Sequence, residues 1–412
     1  HGPDTRKKDL VRLDSFEGAT RDLGGYKAID LKALSDSEII VRMNDSDDPM
    51  PPENAEKQLT DEERKLIERW VKQGGNYAKH WAFVPPKKTS LPSKGHPIDA
   101  FVQKQFSEGV DFAVTANNAT IARRLALVLT GLPPEPSLLE DFLNDNRVNA
   151  YERFVEQLLA DPRYGEHQAR YWLDAVRYGD THGLHLDNRR GIYPYRDWVV
   201  RALNNNLPID RFIEWQLAGD LHSKPTTEQL IATGFVRMNP STAEGGVIPA
   251  EFQAKNNFDR TETLGTVFLG MSMLCSRCHT HKYDPITQTE YYQLMAFFNS
   301  TSEGPLDGNK YEYAPVIKVP KDQISWNEWL KLIAKRDDLL SEAASIFDNV
   351  KDSKSEIKKK WIQSDEAARL AMVVDENEEW KNNALSIYKD AKVLSKLIEN
   401  AQKAFTTTMI AK

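Results

Sequence analysis

Among its 412 residues the sequence has only two cysteines, so any chemistry that needs thiols has a single place to occur. No apolar run approaches the roughly 18 residues of a membrane-spanning helix, which excludes a helical span. No basic cluster is long enough to cradle a polyanion, and the net charge is -7, so nucleic acid is not an expected partner. A basic, apolar leader is also missing. The chain starts at His1 and reads as a mature or trimmed form. Proline and glycine vanish after Lys321, which excludes a turn-rich final domain. What remains is ordinary for a soluble protein of two or three domains, 40% hydrophobic and 28% charged.

The two cysteines fall in Cys275-Ser276-Arg277-Cys278-His279. A Cys-x-x-Cys-His run reads as a c-type haem attachment site: two thiols about one helical turn apart form thioethers, and the next residue lies under the iron. His279 is then the proximal ligand. Three other readings compete. Cys275, Cys278, His279 and His281 make a zinc set, though neighbouring histidines close poorly into a tetrahedron. A thioredoxin-like pair needs a βαβ context that the preceding apolar run, Thr266 to Leu274, does not offer. Inert buried cysteines are the bland reading.

Along the chain, His1-Gly2-Pro3-Asp4 reads as the tail of a second such motif, whose cysteines would precede residue 1. Met50, set before Pro51-Pro52, is held on a stiff loop that could present its sulfur to a haem opposite His1, or pack that loop on a core. Thr60 with Glu63 forms a capping box, Leu66, Ile67, Trp70 and Val71 recur at helical spacing, and Gly74-Gly75 closes the helix. Helices are expected over 118–129, 151–159, from Arg163, over 195–204 and 210–217, and from Pro249 into the cysteine motif. The loop Gly179 to His185 is dense in polar groups. His167, His182 and His185 are candidate distal ligands or proton carriers there, with a solvated loop histidine as the plain alternative. His182, flanked by glycine, is the preferred one. Arg196, beside Tyr195 and Trp198, could pair with haem propionates or merely with Asp197. The helical runs from Lys321 carry interleaved charges and read as a hairpin or coiled-coil-like arm with a solvated face. With no stop signal at Lys412, a further domain is expected beyond it.

Several separated stretches carry a resemblance: Arg163-Tyr164-Gly165-Glu166, Trp172-Leu173-Asp174, Tyr195-Arg196-Asp197-Trp198, Gln216-Leu217-Ala218-Gly219-Asp220, and Cys275 through Pro285. In this order they resemble the large planctomycete-type cytochrome proteins, where a small cytochrome c domain precedes a domain of unknown function with its own Cys-x-x-Cys-His. The resemblance implies His1 and Met50 as axial ligands of a first haem, although the cysteines before His1 are not in this sequence. It also implies secreted electron transfer, or the oxidation of saccharides.

The expected fold is mainly α. It comprises a cytochrome c-like domain over 1–86, a linker over 87–97, a helical haem domain over 98–304, a connector over 305–320 and a helical arm over 321–412. The expected function is an extracytoplasmic c-type cytochrome, periplasmic or extracellular, with haem c at Cys275, Cys278 and His279 and a second haem at His1 and Met50. Its partner would be a redox protein. The rival is a haem oxidoreductase with an open distal site, in which His182, His185 or His281 serves as acid or base on a substrate such as a saccharide. A third reading is a structural surface protein that oligomerises through 321–412.

Overall fold

A computed structural model describes residues 11–79, 81–92, 95–348 and 379–410. Across them the fold is mainly helical, as expected, and the described strands form one two-stranded sheet. The chain divides into two compact units. One holds the described residues through Thr115 together with Leu269–Ala296; the other holds Ala116–Phe268 and the described residues from Phe297 on.

In the first unit, α1 (Phe16–Thr20), α2 (Glu38–Asn44) and α3 (Asp61–Lys72) precede α4 (Pro97–Gln103). The capping box forms at α3: Glu63 N donates to Thr60 Oγ1 at 3.2 Å, and Thr60 N to Glu63 Oε2 at 2.9 Å. Such a cap stabilises a helix by about 1 kcal/mol. At the other end Gly75 N donates to Trp70 O at 3.0 Å, with Gly74 and Gly75 both at positive φ. The α3 face buries Val71, and with it Ile67 and Trp70 pack on Ala19, Ala28 and Ile29. Trp70 keeps its indole donor satisfied through Asn76 O at 3.0 Å.

In the second unit, α5 (Asn118–Leu129), α6 (Pro136–Asn144) and α7 (Ala150–Leu159) close on a small core in which Phe142 and Phe154 stack at 4.5 Å. Then come α8 (Pro162–Ala175), α9 (Tyr193–Asn204), α10 (Ile209–Ala218), α11 (Thr227–Ala232) and α12 (Pro249–Leu269). Helices α8 and α9 approach closely because Gly165 has no side chain: a Cβ there would lie 2.5 Å from Val200 O. Asn204 of α9 bonds α8 twice across this contact, accepting from Gly165 N at 2.8 Å and donating to Pro162 O at 3.0 Å. Trp198, Tyr195 and Phe212 form the aromatic centre, with Trp198 and Phe212 stacked at 5.2 Å. Gln216 is fully buried, yet its Oε1 accepts from Tyr195 OH at 2.6 Å and Trp172 Nε1 at 3.0 Å, so the core holds no loose amide there.

After α13 (Gln288–Phe298), β1 (Val316–Val319) leads into α14 (Gln323–Asp348); α15 (Glu379–Gln402) returns to β2 (Thr406–Met409). The helices pair, and the strands pair antiparallel from Val316↔Met409 to Val319↔Thr406. The root of the expected arm is core rather than appendage. Val319, Trp326, Trp329, Ile398 and Met409 are buried with Trp198 and Phe235 in one cluster, and Thr408 Oγ1 donates to Gly191 O at 3.0 Å. Four threonine-rich residues expected to be helical form a strand, because β-branched side chains suit the partner edge that β1 offers.

Candidate functional site

Helix α12 ends at Leu269, and Gly270 at φ 63 turns the chain into a short 3₁₀ segment, Leu274–Arg277. Backbone bonds Ser276 N to Met273 O (2.9 Å) and His279 N to Cys275 O (3.3 Å) close the Cys-x-x-Cys-His turn. From α13, Gln288 Nε2 and Tyr292 OH both donate to Arg277 O, at 3.3 and 2.9 Å, fixing the middle of the motif. Cys275 and Cys278 are free and exposed, and so is His279. His279 Nδ1 lies 2.8 Å from Thr280 O, a group that can only accept, so Nδ1 carries the proton and the Nε2 lone pair has no partner among the described residues.

His281 is built differently. Its Nδ1 accepts from Asp284 N at 2.7 Å and Tyr283 N at 3.1 Å, which places the proton on Nε2, facing Ser272 Oγ at 3.3 Å. With its side chain 6% exposed, it organises the loop Thr280–Ile286. Among the described residues no three His, Cys, Asp or Glu side chains converge as a metal cluster, so the zinc set of Cys275, Cys278, His279 and His281 is not assembled here.

Within the first unit lies an apolar cavity of about 520 Å³, walled by Leu13, Tyr26, Ile39, Met43, Met50 and Ile67. The Met50 loop is held from α2: Met50 N donates to Arg42 O at 2.9 Å, and the Arg42 guanidinium pairs with Asp48. Asp45 Oδ1 accepts from Asp47 N at 2.8 Å and Asp48 N at 3.2 Å, and these bonds hold its carboxyl below the usual range. Arg64 donates to Met43 O across the same wall. His1, expected opposite Met50, lies outside the described residues.

His182, His185 and Arg196 belong to the second unit, whereas the cysteine turn belongs to the first. His182 is 2% exposed and engaged at both nitrogens: Nε2 donates to Lys310 O at 2.7 Å, and Nδ1 is 2.9 Å from Ser241 Oγ, which bonds Asp307 Oδ2 at 2.9 Å. It joins loops 59 and 128 residues away and is nearly sealed from solvent. His185 is exposed at φ 55 on the same loop. Arg196 bonds Asp197 Oδ1 through Nε and Nη2, at 3.0 and 2.9 Å, and lies over Tyr193.

A buried network went unread in the sequence. Arg237 Nε meets Glu303 Oε2 at 2.5 Å, and Arg260 of α12 pairs with the other oxygen of Glu303; side-chain exposures are 1%, 3% and 4%. Asn239 Oδ1 accepts twice from Arg260, while Arg190 donates to the carbonyls of Arg237, Met238 and Asn239. Burial, with the neighbouring Arg237 charge, pushes the Arg260 guanidinium down to about 10. The local signal was Arg237 inside Phe235-Val236-Arg237-Met238, a cation amid apolar residues.

Compared with known proteins, residues 97–303 match the family PSCyt2, described as a protein of unknown function (DUF1549). That stretch begins at α4, includes α5 to α13 and the whole cysteine turn, and leaves the Met50 cavity outside it. No curated protein and no solved structure matches the chain. With half of its length in that match, the chain belongs to the PSCyt2 family of planctomycete-type domains of unknown function.

Proposed function

We propose that the protein is an extracytoplasmic c-type cytochrome that passes single electrons through covalently bound haem. The observation that carries this reading is the state of the Cys275–His279 turn. Two free, exposed thiols on one turn are the nucleophiles that thioether attachment requires. His279 commits its Nδ1 proton to Thr280 O and leaves Nε2 as the nitrogen that would bind iron, the second-sphere arrangement that orients ligating histidines. Haem held there supplies reversible one-electron exchange at iron. Gln288 and Tyr292 keep the turn from rearranging, which limits the reorganisation that each electron would require.

Met50 and the cavity beside it support a second haem in the first unit. Met50 is a thioether in the wall of an apolar cavity, within the roughly 300–1,000 Å³ of organic-ligand sites. Arg42 fixes the loop that carries it, and a histidine such as His1 would complete a His/Met pair of the kind that raises potential. The acidic chain would attract a basic redox partner at a rate that falls with ionic strength.

The test is an intact mass under denaturing conditions with a pyridine haemochrome spectrum on the same sample. Retained haem that disappears in Cys275→Ala with Cys278→Ala supports the reading. An unmodified mass with no haem spectrum overturns it, and zinc analysis at the same cysteines follows.

A further inference from the structure

In the second unit, the facing sides of α8, α9 and α14 enclose a cleft of about 740 Å³. It shares no residue with the Cys275–His279 turn or with the cavity beside Met50. Charges of both signs wall it in equal number: Arg170, Arg196 and Arg201, against Glu166, Asp197 and Glu228. Arg201 is the fixed point. Its Nε and Nη2 donate to the two oxygens of Glu228 at 3.1 and 3.2 Å, its guanidinium lies 4.1 Å from the Trp326 ring centroid, and its side chain is 12% exposed. Two-point pairing and stacking remove the rotamer freedom that binding would otherwise cost. The Nη1 edge of Arg201 has no partner among the described residues. Arg196 repeats the pattern: both bonds to Asp197 fall on Oδ1, leaving its own Nη1 and Asp197 Oδ2 without a partner among the described residues. Gln323 adds a free amide oxygen, since its nitrogen donates to Asn327 Oδ1 at 2.9 Å.

This balance selects the ligand. An anion entering the cleft meets three carboxylates as well as three guanidiniums, a cation meets the converse, and the opposed interactions offset one another. An apolar molecule would strip water from the same charged groups and return no hydrogen bonds. A neutral molecule whose groups each donate and accept satisfies both kinds of wall at once. Hydroxyls do this, and a pair on neighbouring carbons offers a guanidinium edge or a carboxylate two contacts. We propose that the α8/α9/α14 cleft binds a neutral oligosaccharide. Haem plays no part in this recognition.

The test is calorimetric titration of the full chain with cellotetraose, maltotetraose and xylotetraose, and with acetate and lysine as charged probes. At least one tetrasaccharide binds in the millimolar range or tighter, and the charged probes do not compete. Arg196→Ala and Glu166→Ala, both at accessible positions, each weaken binding about tenfold while circular dichroism is unchanged. Arg147→Ala, outside the cleft, leaves affinity unaltered, and so does Cys275→Ala with Cys278→Ala, which separates this result from the haem test. Silence from all three sugars, affinity indifferent to Arg196→Ala and Glu166→Ala, or displacement by acetate overturns the proposal.

Discussion

Replacing Glu303 by Gln keeps the shape of the buried network and removes the carboxylate that pairs with both Arg237 and Arg260. Two guanidiniums, with side chains 1% and 3% exposed, then lose the carboxylate that paired with both. Breaking a buried pair in this way costs about 3–5 kcal/mol, because the remaining charge is neither solvated nor paired. Against a total stability of roughly 5–15 kcal/mol that is a large fraction. At about 2–4 °C per kcal/mol for a unit of this size, the unfolding midpoint of the second unit falls by about 6–20 °C. Thermal melts followed by tryptophan fluorescence measure it, since Trp198 and Trp326 belong to that unit's core. Adding Arg237→Met to Glu303→Gln removes one stranded cation and recovers part of the loss. A midpoint within about 2 °C of the parent would show that water or a local rearrangement already compensates Glu303, and the account of this network would be wrong.

Gly165→Ala places a Cβ 2.5 Å from Val200 O, so α8 and α9 must separate; we expect a loss of about 1–3 kcal/mol in denaturant titration, and an unchanged midpoint refutes the close-crossing argument. Asp161 caps α8, and the bond from Arg163 holds its carboxyl below the usual range. A depressed folded value contributes stability above about pH 3.9 and loses it as pH falls through the folded value. Asp161→Asn, which keeps the cap, is therefore less stable than the parent by about 0.5–1 kcal/mol at pH 7, with the gap closing as pH falls below about 3.9. A gap constant from pH 7 to 2 contradicts the pairing. Arg42→Ala releases Asp48 and speeds amide exchange at Met50 about tenfold; unchanged protection means the loop is held otherwise.

Local signals were the legible ones. The Thr60/Glu63 box, the Gly74-Gly75 stop and the termination of α5 at Leu129 depend on residues a few positions apart, and each forms where the spacing puts it. The cysteine turn was legible for the same reason. His182 was not: its polar, glycine-flanked loop marked it as the preferred distal ligand or proton carrier, and only Ser241, Asp307 and Lys310, all distant in sequence, engage it. Met50 and its cavity stand between these cases, since Pro51-Pro52 announced a stiff loop while Tyr26 and Ile67 had to be brought to it by folding. The return of Thr406–Met409 as a strand was hidden because strand formation there is decided by the edge of β1, a partner that no window around residue 406 contains.

Arg237 Nη1 donates to Ile410 O at 3.0 Å, a bond across 173 positions of sequence. A ribosome therefore delivers the acceptor for this buried cation long after the cation itself. Until residue 410 emerges, the second unit holds an arginine that its core cannot yet receive, so final packing waits for that residue and the nascent form offers an open edge at β1. Any export or chaperone step acting during synthesis meets that unfinished state.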